Sequence, residues 1–349
     1  MKKIFCKIIF SLVLLSLLLS VFGCNEQISK QKFSKVYFDH FDTVTTVVGY
    51  ENSKEEFNSV AALVNTRLYE YHKLYDIYNS YSTITNLCDI NSAAGKEPLK
   101  VDKRIIDMLL YAKEAYEMTG GETNIAMGSI LSLWHEKREQ GSQDPDNASL
   151  PTDQELRAAA AHTDISALQI DENASTVLIT DPDMRLDVGA VAKGYATEMI
   201  ARELESMGKH GYVLNVGGNI RIVGTKPGGE PWRVAVENPG IPGSSYEYVR
   251  ELSLSSGAMV TSGSYQRYYV VDGKRYHHII DKDTLYPSEY FLSVSVICDN
   301  SALADVLSTA LFSMPYEEGI ALVSSIDSAE ALWVGLHGEI KTTDGFPGK

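Results

Sequence analysis

The chain has 349 residues, of which 44% are hydrophobic and 22% charged, and its net charge is −15. Residues 1–23 hold three lysines and no acidic residue, so the remaining 326 residues carry a net charge of −18. So acidic a chain is not expected to bind nucleic acid or to attach to a membrane through a basic patch. The four cysteines form no CxxC pair, which excludes a disulfide framework and a cysteine-rich metal site. One bridge would be possible in an exported protein, but Cys298 lies in an apolar stretch and is interpreted as a buried free thiol.

Residues 1–23 have the features of a lipoprotein signal peptide. Three lysines precede an apolar run over residues 8–22, which is shorter than the roughly 20 residues of a membrane-spanning helix. Val21-Phe22-Gly23-Cys24 resembles a bacterial lipobox, although Phe22 is larger than the usual residue. We therefore expect cleavage before Cys24, a lipid on that cysteine, and a location on the extracytoplasmic face of the cell membrane. The alternative is an ordinary secretory signal cut nearby, which would also export the chain.

The rest of the chain is predicted to be a tether followed by one folded domain. Residues 24–35 are polar and are assigned to the tether, and residues 36–349 to the domain, which is long enough for two lobes that share a cleft. Apolar periodicity predicts, in chain order, a strand over 44–48, helices over 55–78, 103–118 and 125–137, a polar loop over 140–147, and a strand over 177–180.

The second half is richer in strands. A helix is predicted after Gly189, and strands follow at 212–215, 220–223, 232–237 and 248–254. A hairpin is predicted over 268–271 and 276–280 with a type I′ turn at Asp272-Gly273. Helices at 301–312 and 316–325 precede a last strand near residue 332. Strands and helices mix without regular βαβ alternation, so the predicted fold class is α+β with mixed or antiparallel sheets.

Residues 186–196 combine a carboxylate, a tight turn and the start of a helix. The apolar residue before Asp187 indicates the end of a strand, and Gly189 permits the turn. Free N–H groups at the helix start, together with Lys193, would favour a phosphate. An ordinary strand–turn–helix with a solvated lysine explains this segment equally well when it is taken alone.

Asp305 and Thr309 lie four residues apart in the predicted helix and therefore share one face. Their oxygens are hard ligands, and with a backbone carbonyl the set would suit Mg²⁺. Such a pair is common on helices that bind no metal. However, the small apolar neighbours indicate a buried helix, in which an aspartate needs a partner.

Adjacent histidines and two glycine turns are the remaining features. His277 and His278 point to opposite faces of a predicted strand and cannot chelate one metal together. One of them could act as a general base or phosphate partner, the alternative being an exposed strand histidine. The turns at 215–219 and 261–267 permit close backbone approach, but each alone indicates only a turn.

Together, and in this order, these segments resemble the ApbE family, the FAD:protein FMN transferases. The resemblance spans residues 41–312 and implies two lobes around a FAD cleft. The segments that carry it are Asp187–Ala196, Asn215-Val216-Gly217-Gly218-Asn219, Thr261-Ser262-Gly263, His278-Ile279-Ile280-Asp281 and Ala304–Phe312.

The resemblance assigns roles residue by residue. It implies Mg²⁺ ligands at the Ala190 carbonyl, Asp305 and Thr309, and makes His278 the candidate base with Lys193 assisting. It implies contacts with FAD from Asp187, Lys193, Ile279 and Ser308, with Tyr78 against the flavin ring. Two further segments, on the adenine or flavin side of the implied site, depart from the family pattern: the usual M-G-T is Phe41-Asp42-Thr43, and the usual F-D-x-T is Thr123-Asn124-Ile125-Ala126. The family's D-P-x-T-G is also changed, to Asp281-Lys282-Asp283-Thr284-Leu285.

The implied reaction moves FMN from FAD to a Thr or Ser hydroxyl of an acceptor flavoprotein, such as a membrane redox subunit or a secreted reductase, and releases AMP. A second interpretation uses water as acceptor and yields FMN and AMP. A third is a lipoprotein that holds FAD without turnover. The absence of G-x-G-x-x-G after a strand and of G-x-S-x-G disfavours a dinucleotide dehydrogenase and a serine hydrolase.

Overall fold

An eight-stranded antiparallel sheet organises the structure, a computed structural model that describes residues 30–348. Residues 1–29, with the predicted signal peptide and Cys24, lie outside the described residues. The strands are β1 Gln31–His40, β2 Thr43–Glu51, β3 Leu99–Lys100, β4 Leu168–Asp171, β5 Thr176–Ile179, β6 Tyr212–Val216, β7 Asn219–Val223, β8 Trp232–Glu237, β9 Tyr248–Leu254, β10 Gly257–Gly263, β11 Tyr268–Val271, β12 Lys274–His277, β13 Phe291–Cys298, β14 Glu330–Gly335 and β15 Ile340–Thr342.

The large sheet has the order β1-β2-β6-β7-β10-β13-β14-β15, and three small sheets contain β3-β5-β4, β8-β9 and β11-β12. Every strand ladder in residues 30–348 is antiparallel, which confirms the predicted α+β class. The helices are α1 Lys54–Tyr75, α2 Leu87–Ser92, α3 Lys103–Met118, α4 Gly128–Gln143, α5 Asp153–Ala160, α6 Ala192–Ser206, α7 Ser301–Phe312 and α8 Tyr316–Ser324. None of these described helices has both the length and the hydropathy to cross a bilayer.

The alternation of side chains along β10 shows how the large sheet is covered. Ala258 and Val260 pack with the apolar residues of α7, whereas Met259 packs with Trp232 of the β8-β9 hairpin. Successive residues of a strand face opposite sides, so α7 covers one face and the hairpin the other. Helix α6 lies beside α7 and contacts β6 and β7.

Several predicted bounds need correction. Strand β1 begins at Gln31, so residues 31–35 belong to the sheet and not to the predicted tether 24–35. The reason is packing: Phe33 stacks on Phe57 with ring centroids 5.5 Å apart, and the Tyr37 hydroxyl donates to the Ala61 carbonyl at 2.8 Å. Two aromatic side chains four residues apart on one strand face therefore attach this segment to α1.

Other predicted elements are shifted or shortened. The predicted helix 125–137 runs instead over 128–143, so much of the predicted loop 140–147 is helical. The helix predicted to reach residue 78 ends at Tyr75. No strand precedes Asp187, where only an isolated parallel bridge joins Met127 and Arg185. The second hairpin strand ends at His277, and the turn residues Asp272 and Gly273 have φ of 50° and 79°, as a type I′ turn requires.

Candidate functional site

Helices α6 and α7 meet at Gly194, where a predicted metal ligand is buried. The Gly194 N–H donates to Asp305 Oδ2 at 2.7 Å, and Asp305 is 4% exposed. A Cβ on Gly194 would lie 2.6 Å from the Ser301 carbonyl oxygen and against Asp305 itself. Glycine is therefore required for this close approach, which lets a backbone N–H bond to the carboxylate.

The Ala190 carbonyl has no hydrogen-bond donor within residues 30–348. Ala190 lies just before α6, and the Gly194 N–H, which is one of the first N–H groups of that helix and has no partner inside it, donates to Asp305. Asp305 forms no ion pair within the same residues. A buried carboxylate and a carbonyl without a donor are the ligand types that Mg²⁺ prefers. The residues present therefore fit a hard divalent cation.

Three hydroxyls surround the next turn of α7. Ser308 and Thr309 donate to the Asp305 carbonyl at 3.0 and 3.3 Å, and Ser262 Oγ of β10 lies 2.9 Å from Ser308 Oγ and 3.3 Å from Thr309 Oγ1. Thr309 thus lies beside Asp305 on one helix, as its spacing predicts. Ser308 is fully buried, and its contact with FAD stays a prediction.

The turn at Asp187 is joined to the segment before α4. The Asp187 N–H donates to the Ile125 carbonyl at 2.8 Å, and Asp187 Oδ1 accepts the Gly189 N–H at 2.8 Å. Lys193 Nζ donates to the Gly189 carbonyl at 3.1 Å. Burial raises the pKa of Asp187, although the Gly189 N–H and nearby positive charges, Lys193 among them, oppose that shift.

Residues 123–125, predicted on the FAD side, are committed to internal contacts. Thr123 Oγ1 donates to the Val306 carbonyl of α7 at 3.1 Å, and Asn124 Nδ2 donates to the Thr163 carbonyl at 3.0 Å. Thr123 and Ile125 are each 1% exposed. This segment therefore links α7 to the Asp187 turn, and a role in FAD binding stays a prediction.

The turn between β1 and β2 is strained and held from two sides. Phe41 and Asp42 both have positive φ, 53° and 51°, which is uncommon for residues other than glycine. The Phe41 N–H donates to His72 Nδ1 at 3.2 Å, and Arg267 donates to the Asp42 carbonyl at 3.3 Å.

Tyr78, predicted to contact the flavin, is 57% exposed and lies against the His135 ring, with ring centroids 5.2 Å apart.

The two histidines have different roles. Both nitrogens of His277 are used inside the protein, since Nε2 donates to the Ser288 carbonyl at 2.8 Å and Nδ1 accepts the Ile279 N–H at 3.2 Å. His278 donates from Nδ1 to the Arg267 carbonyl at 3.3 Å, which leaves Nε2 as an acceptor. Burial lowers the pKa of His278 to about 3, and nearby cations act in the same direction. Only His278 is thus available as a base.

The charge of Lys193 acts on three of the other predicted site residues. It lowers the pKa of Asp187, of Asp305 and of His278, while burial raises the pKa of both aspartates. The structure therefore brings together residues predicted from three separate segments. Ile279 is 8% exposed and packs with the core that α7 shares with the sheet, and its contact with FAD also stays a prediction.

Sequence reasoning missed four residues of this region. Gly194 carried no signal beyond its place in a motif, and Asn219, which accepts the Ser301 hydroxyl and opposes the raised pKa of Asp305, was seen only as a turn residue. His135 and Arg138 of α4, whose side chains lie 2.7 Å apart, had no sequence signal because nothing in the helix pattern indicates what they face.

The chain is similar in sequence to known proteins. Residues 41–333 match the family model described as the ApbE family. The chain is 33% identical over 272 residues to a FAD:protein FMN transferase of Vibrio cholerae, covering 78% of this chain and 77% of that protein. It is 30% identical over 277 residues to one of Klebsiella pneumoniae, covering 79% of this chain and 83% of that protein.

Solved structures show the same fold. The ApbE protein of Thermotoga maritima superposes with a TM-score of 0.78 at 28% identity, covering 90% of this chain and 97% of that chain. The flavin transferase ApbE of Vibrio cholerae gives a TM-score of 0.74 at 25% identity, with coverage of 90% and 97%. The observed α+β arrangement is therefore that of known flavin transferase structures.

Proposed function

The chain belongs to the ApbE family, and from that premise we propose that it is an Mg²⁺-dependent FAD:protein FMN transferase acting on a Thr or Ser hydroxyl of a partner protein. The observation that carries the proposal is Asp305. Asp305 is 4% exposed, and its carboxylate has no ion pair within the described residues and accepts the Gly194 N–H. A purely structural aspartate would have a cationic partner at that depth.

Two residues of the chain have separate roles in the proposed reaction. The acceptor oxygen forms a bond to the FMN-side phosphorus of FAD, and the bond from that phosphorus to the AMP phosphate oxygen breaks, so AMP leaves with the electron pair. His278 Nε2, which makes no hydrogen bond within the described residues, takes the hydroxyl proton. Lys193 stabilises the negative charge of the phosphates.

Asp305, Thr309 and the Ala190 carbonyl would hold Mg²⁺, which supplies charge neutralisation at the pyrophosphate when it is bound. Asp187 anchors the turn that carries Ala190 and Lys193. Binding and orientation of the phosphates by these groups would account for most of the rate, because phosphoryl transfer needs little covalent help from the protein.

The predicted lipid on Cys24 would place this chemistry on the extracytoplasmic face of the cell membrane. Acceptors would then be extracytoplasmic domains of membrane redox proteins or secreted flavoproteins. The net charge of −18 of residues 24–349 gives no basic surface for lipid headgroups, so membrane attachment would depend on the lipid anchor.

The test uses the mature chain from residue 24 with Cys24→Ser, incubated with FAD, Mg²⁺ and a threonine-bearing acceptor domain. We expect one AMP released for each flavin that stays on the acceptor in a denaturing gel, and loss of both signals with EDTA. A matched acceptor with Thr→Val should stay unlabelled.

Other outcomes separate the alternatives. AMP and FMN without labelled acceptor, also with several acceptor domains, would favour a FAD pyrophosphatase. Tight FAD binding without AMP under any divalent metal would leave a flavin-holding lipoprotein.

A further inference from the structure

Two arginines near the site have no acidic partner. Arg138 of α4 is partly buried and Arg267 is exposed, and neither forms an ion pair with an Asp or Glu in residues 30–348. Arginines 67, 104, 202, 221 and 233 each bond to a carboxylate. The other six of the eleven described arginines do not, and what distinguishes Arg138 and Arg267 among those six is that both act on the proposed base His278.

These two arginines are close to each other and to the proposed base. Burial is the largest cause of the lowered pKa of Arg138, and the charge of Arg267 is the second largest. Both arginines, together with Lys193, also lower the pKa of His278. Glu139 and Asp187 act on Arg138 only beyond ion-pair distance. Three cations that converge on one histidine repel each other, and an anion among them would relieve that repulsion.

His135 holds Arg138 in position. Arg138 Nη2 lies 2.7 Å from His135 Nδ1, and because a guanidinium can only donate, Nδ1 must accept and the proton must lie on Nε2. The His135 ring in turn lies against Tyr78, with centroids 5.2 Å apart and planes inclined by 31°. One edge of the guanidinium is thus used by His135, while its other N–H groups remain available.

Arg267 is held in a similar way. Its Nη2 donates to the Asp42 carbonyl in the strained β1-β2 turn at 3.3 Å, and its own carbonyl accepts His278 Nδ1 at 3.3 Å. The backbone of Arg267 therefore positions the proposed base while its side chain keeps donors free. Guanidinium groups suit phosphate oxygens because their planar N–H pairs match them in geometry.

We infer that Arg138 and Arg267 bind the phosphate groups of the flavin nucleotide, with His135 as the residue that positions Arg138. This inference rests on the proposed function, since it assigns a ligand to the same site. The group that the arginines would bind is a phosphate ester, which is present on both the FMN half and the AMP half of FAD.

The experiment measures binding without turnover. Dissociation constants of FAD, FMN, ADP and riboflavin are determined for the Cys24→Ser mature chain and for Arg138→Gln and Arg267→Gln in that background, by flavin fluorescence and by ADP competition. Arg157→Gln is the matched control, because Arg157 is exposed on α5. We expect FAD to bind about 10- to 100-fold more weakly in the two variants, with riboflavin changed by less than about 3-fold and the control unchanged.

The measurements with FMN and ADP identify the half of FAD to which each arginine binds. A loss for FMN but not ADP assigns the arginine to the FMN phosphate, and the reverse assigns it to the AMP phosphate. FAD affinity should also depend less steeply on salt in each variant than in the parent chain. An equal loss for riboflavin, or unchanged FAD affinity, would overturn the inference.

A second pair of variants tests His135. His135→Gln keeps an acceptor for the guanidinium and should retain FAD affinity within about 3-fold, whereas His135→Ala should weaken it about 10-fold. Failure of Gln to rescue would reject the positioning role. A parent chain that binds FAD but releases no AMP would reject the proposed transferase function while leaving the arginine result to stand by itself.

Discussion

At the scale of single residues, Asp305 shows how backbone can prepare a cation site. The Gly194 N–H, in the first turn of α6, donates to its carboxylate, and the Ala190 carbonyl just before the helix accepts no hydrogen bond within the described residues. Burial raises the pKa of Asp305, although Lys193 and the Gly194 N–H oppose the shift. Above its ordinary pKa the ionised Asp305 is therefore a source of instability in the metal-free protein, and a bound cation would remove it.

Asp305→Asn should therefore separate metal binding from folding. Without metal we expect its melting temperature to equal or exceed that of the parent, because a neutral side chain replaces a buried charge. Saturating Mg²⁺ should raise the melting temperature of the parent by a few degrees and leave the variant unchanged, while FMN transfer falls by more than about 100-fold. Differential scanning calorimetry with and without Mg²⁺ measures the first effect.

The exposed Asp299→Asn, just before α7, is the matched control and should behave as the parent. Equal stabilisation of the parent and Asp305→Asn by Mg²⁺ would remove Asp305 from the metal site.

At the scale of elements, one buried carboxylate joins α6, β7 and α7. Glu198 accepts Arg221 Nε at 2.9 Å, the Ser301 N–H at 2.8 Å and Arg202 Nε at 2.9 Å, and Glu198 and Arg221 are 2% and 5% exposed. This network fixes the first turn of α7 against α6 and so sets where Asp305 lies. Burial alone would raise the pKa of Glu198, but the bonds from Arg221, the Ser301 N–H and Arg202 together outweigh it and the pKa falls below its ordinary 4.5.

Glu198→Gln should cost about 3–5 kcal/mol of unfolding free energy at pH 7, because it removes the buried carboxylate that pairs with the buried Arg221 charge and leaves only the more exposed Glu205. A lowered folded-state pKa gives stability that is present above pH 4.5 and is lost as the pH falls through the folded pKa. The difference between the parent and Glu198→Gln should therefore shrink below pH 4.5. Urea unfolding at pH 7, 5, 4 and 3.5 measures it.

Glu205→Gln is the control within the same network. Glu205 also bonds to Arg221, at 3.0 Å, but its side chain is 39% exposed, so its loss should cost less than about 1 kcal/mol. A pH-independent difference for Glu198→Gln would contradict the ionic interpretation.

Strand β1 is a second element whose role can be tested. A mature chain shortened to begin at residue 36 loses the register pairs from Gln31↔Glu51 to Lys35↔Val47 and the Phe33–Phe57 contact. We expect its melting temperature to fall by several degrees relative to a chain that begins at residue 30, since buried aromatic area and ladder hydrogen bonds are removed. If residues 31–35 were only a tether, the two chains would melt together.

At the scale of the whole molecule, the folded body begins almost directly after the predicted lipid. Only six residues, 25–30, separate Cys24 from β1, an edge strand of the large sheet. A fully extended segment of that length spans roughly 20 Å, so a lipid on Cys24 would hold the domain close to the bilayer.

Cys24→Ser in the full-length chain should move the protein from the membrane fraction to the soluble exported fraction. The physical reason is the loss of the acyl chains, each buried CH₂ of which contributes about 0.8 kcal/mol. Cell fractionation with immunoblotting measures the distribution, and metabolic labelling with a fatty acid reports the modification. The control is Cys88→Ser, whose thiol lies in the folded domain. Unchanged membrane retention of Cys24→Ser would contradict the anchor.

Elements with strong local patterns were predictable from the amino-acid sequence. Helices 103–118 and 301–312 and strands 232–237 and 248–254 have the predicted bounds, because their periodicity and caps lie within the elements themselves. Cys298 is buried and free, as its apolar neighbours indicate. The Asp305/Thr309 pair was visible for the same reason, since its spacing is a property of one helix.

Contacts between distant segments could not be predicted. Gly194 and Asp305 are 111 residues apart, so no local pattern shows that the Gly194 N–H donates to the Asp305 carboxylate. Residues 31–35 look like a tether until α1 is placed beneath them, and His135 and Arg138 look like a solvated helix face until Tyr78 and Arg267 are placed near them. Local patterns in the amino-acid sequence were therefore sufficient to predict the fold class and the chemical types of the candidate site residues. Packing decided which of those groups meet, because burial and distance depend on the whole chain.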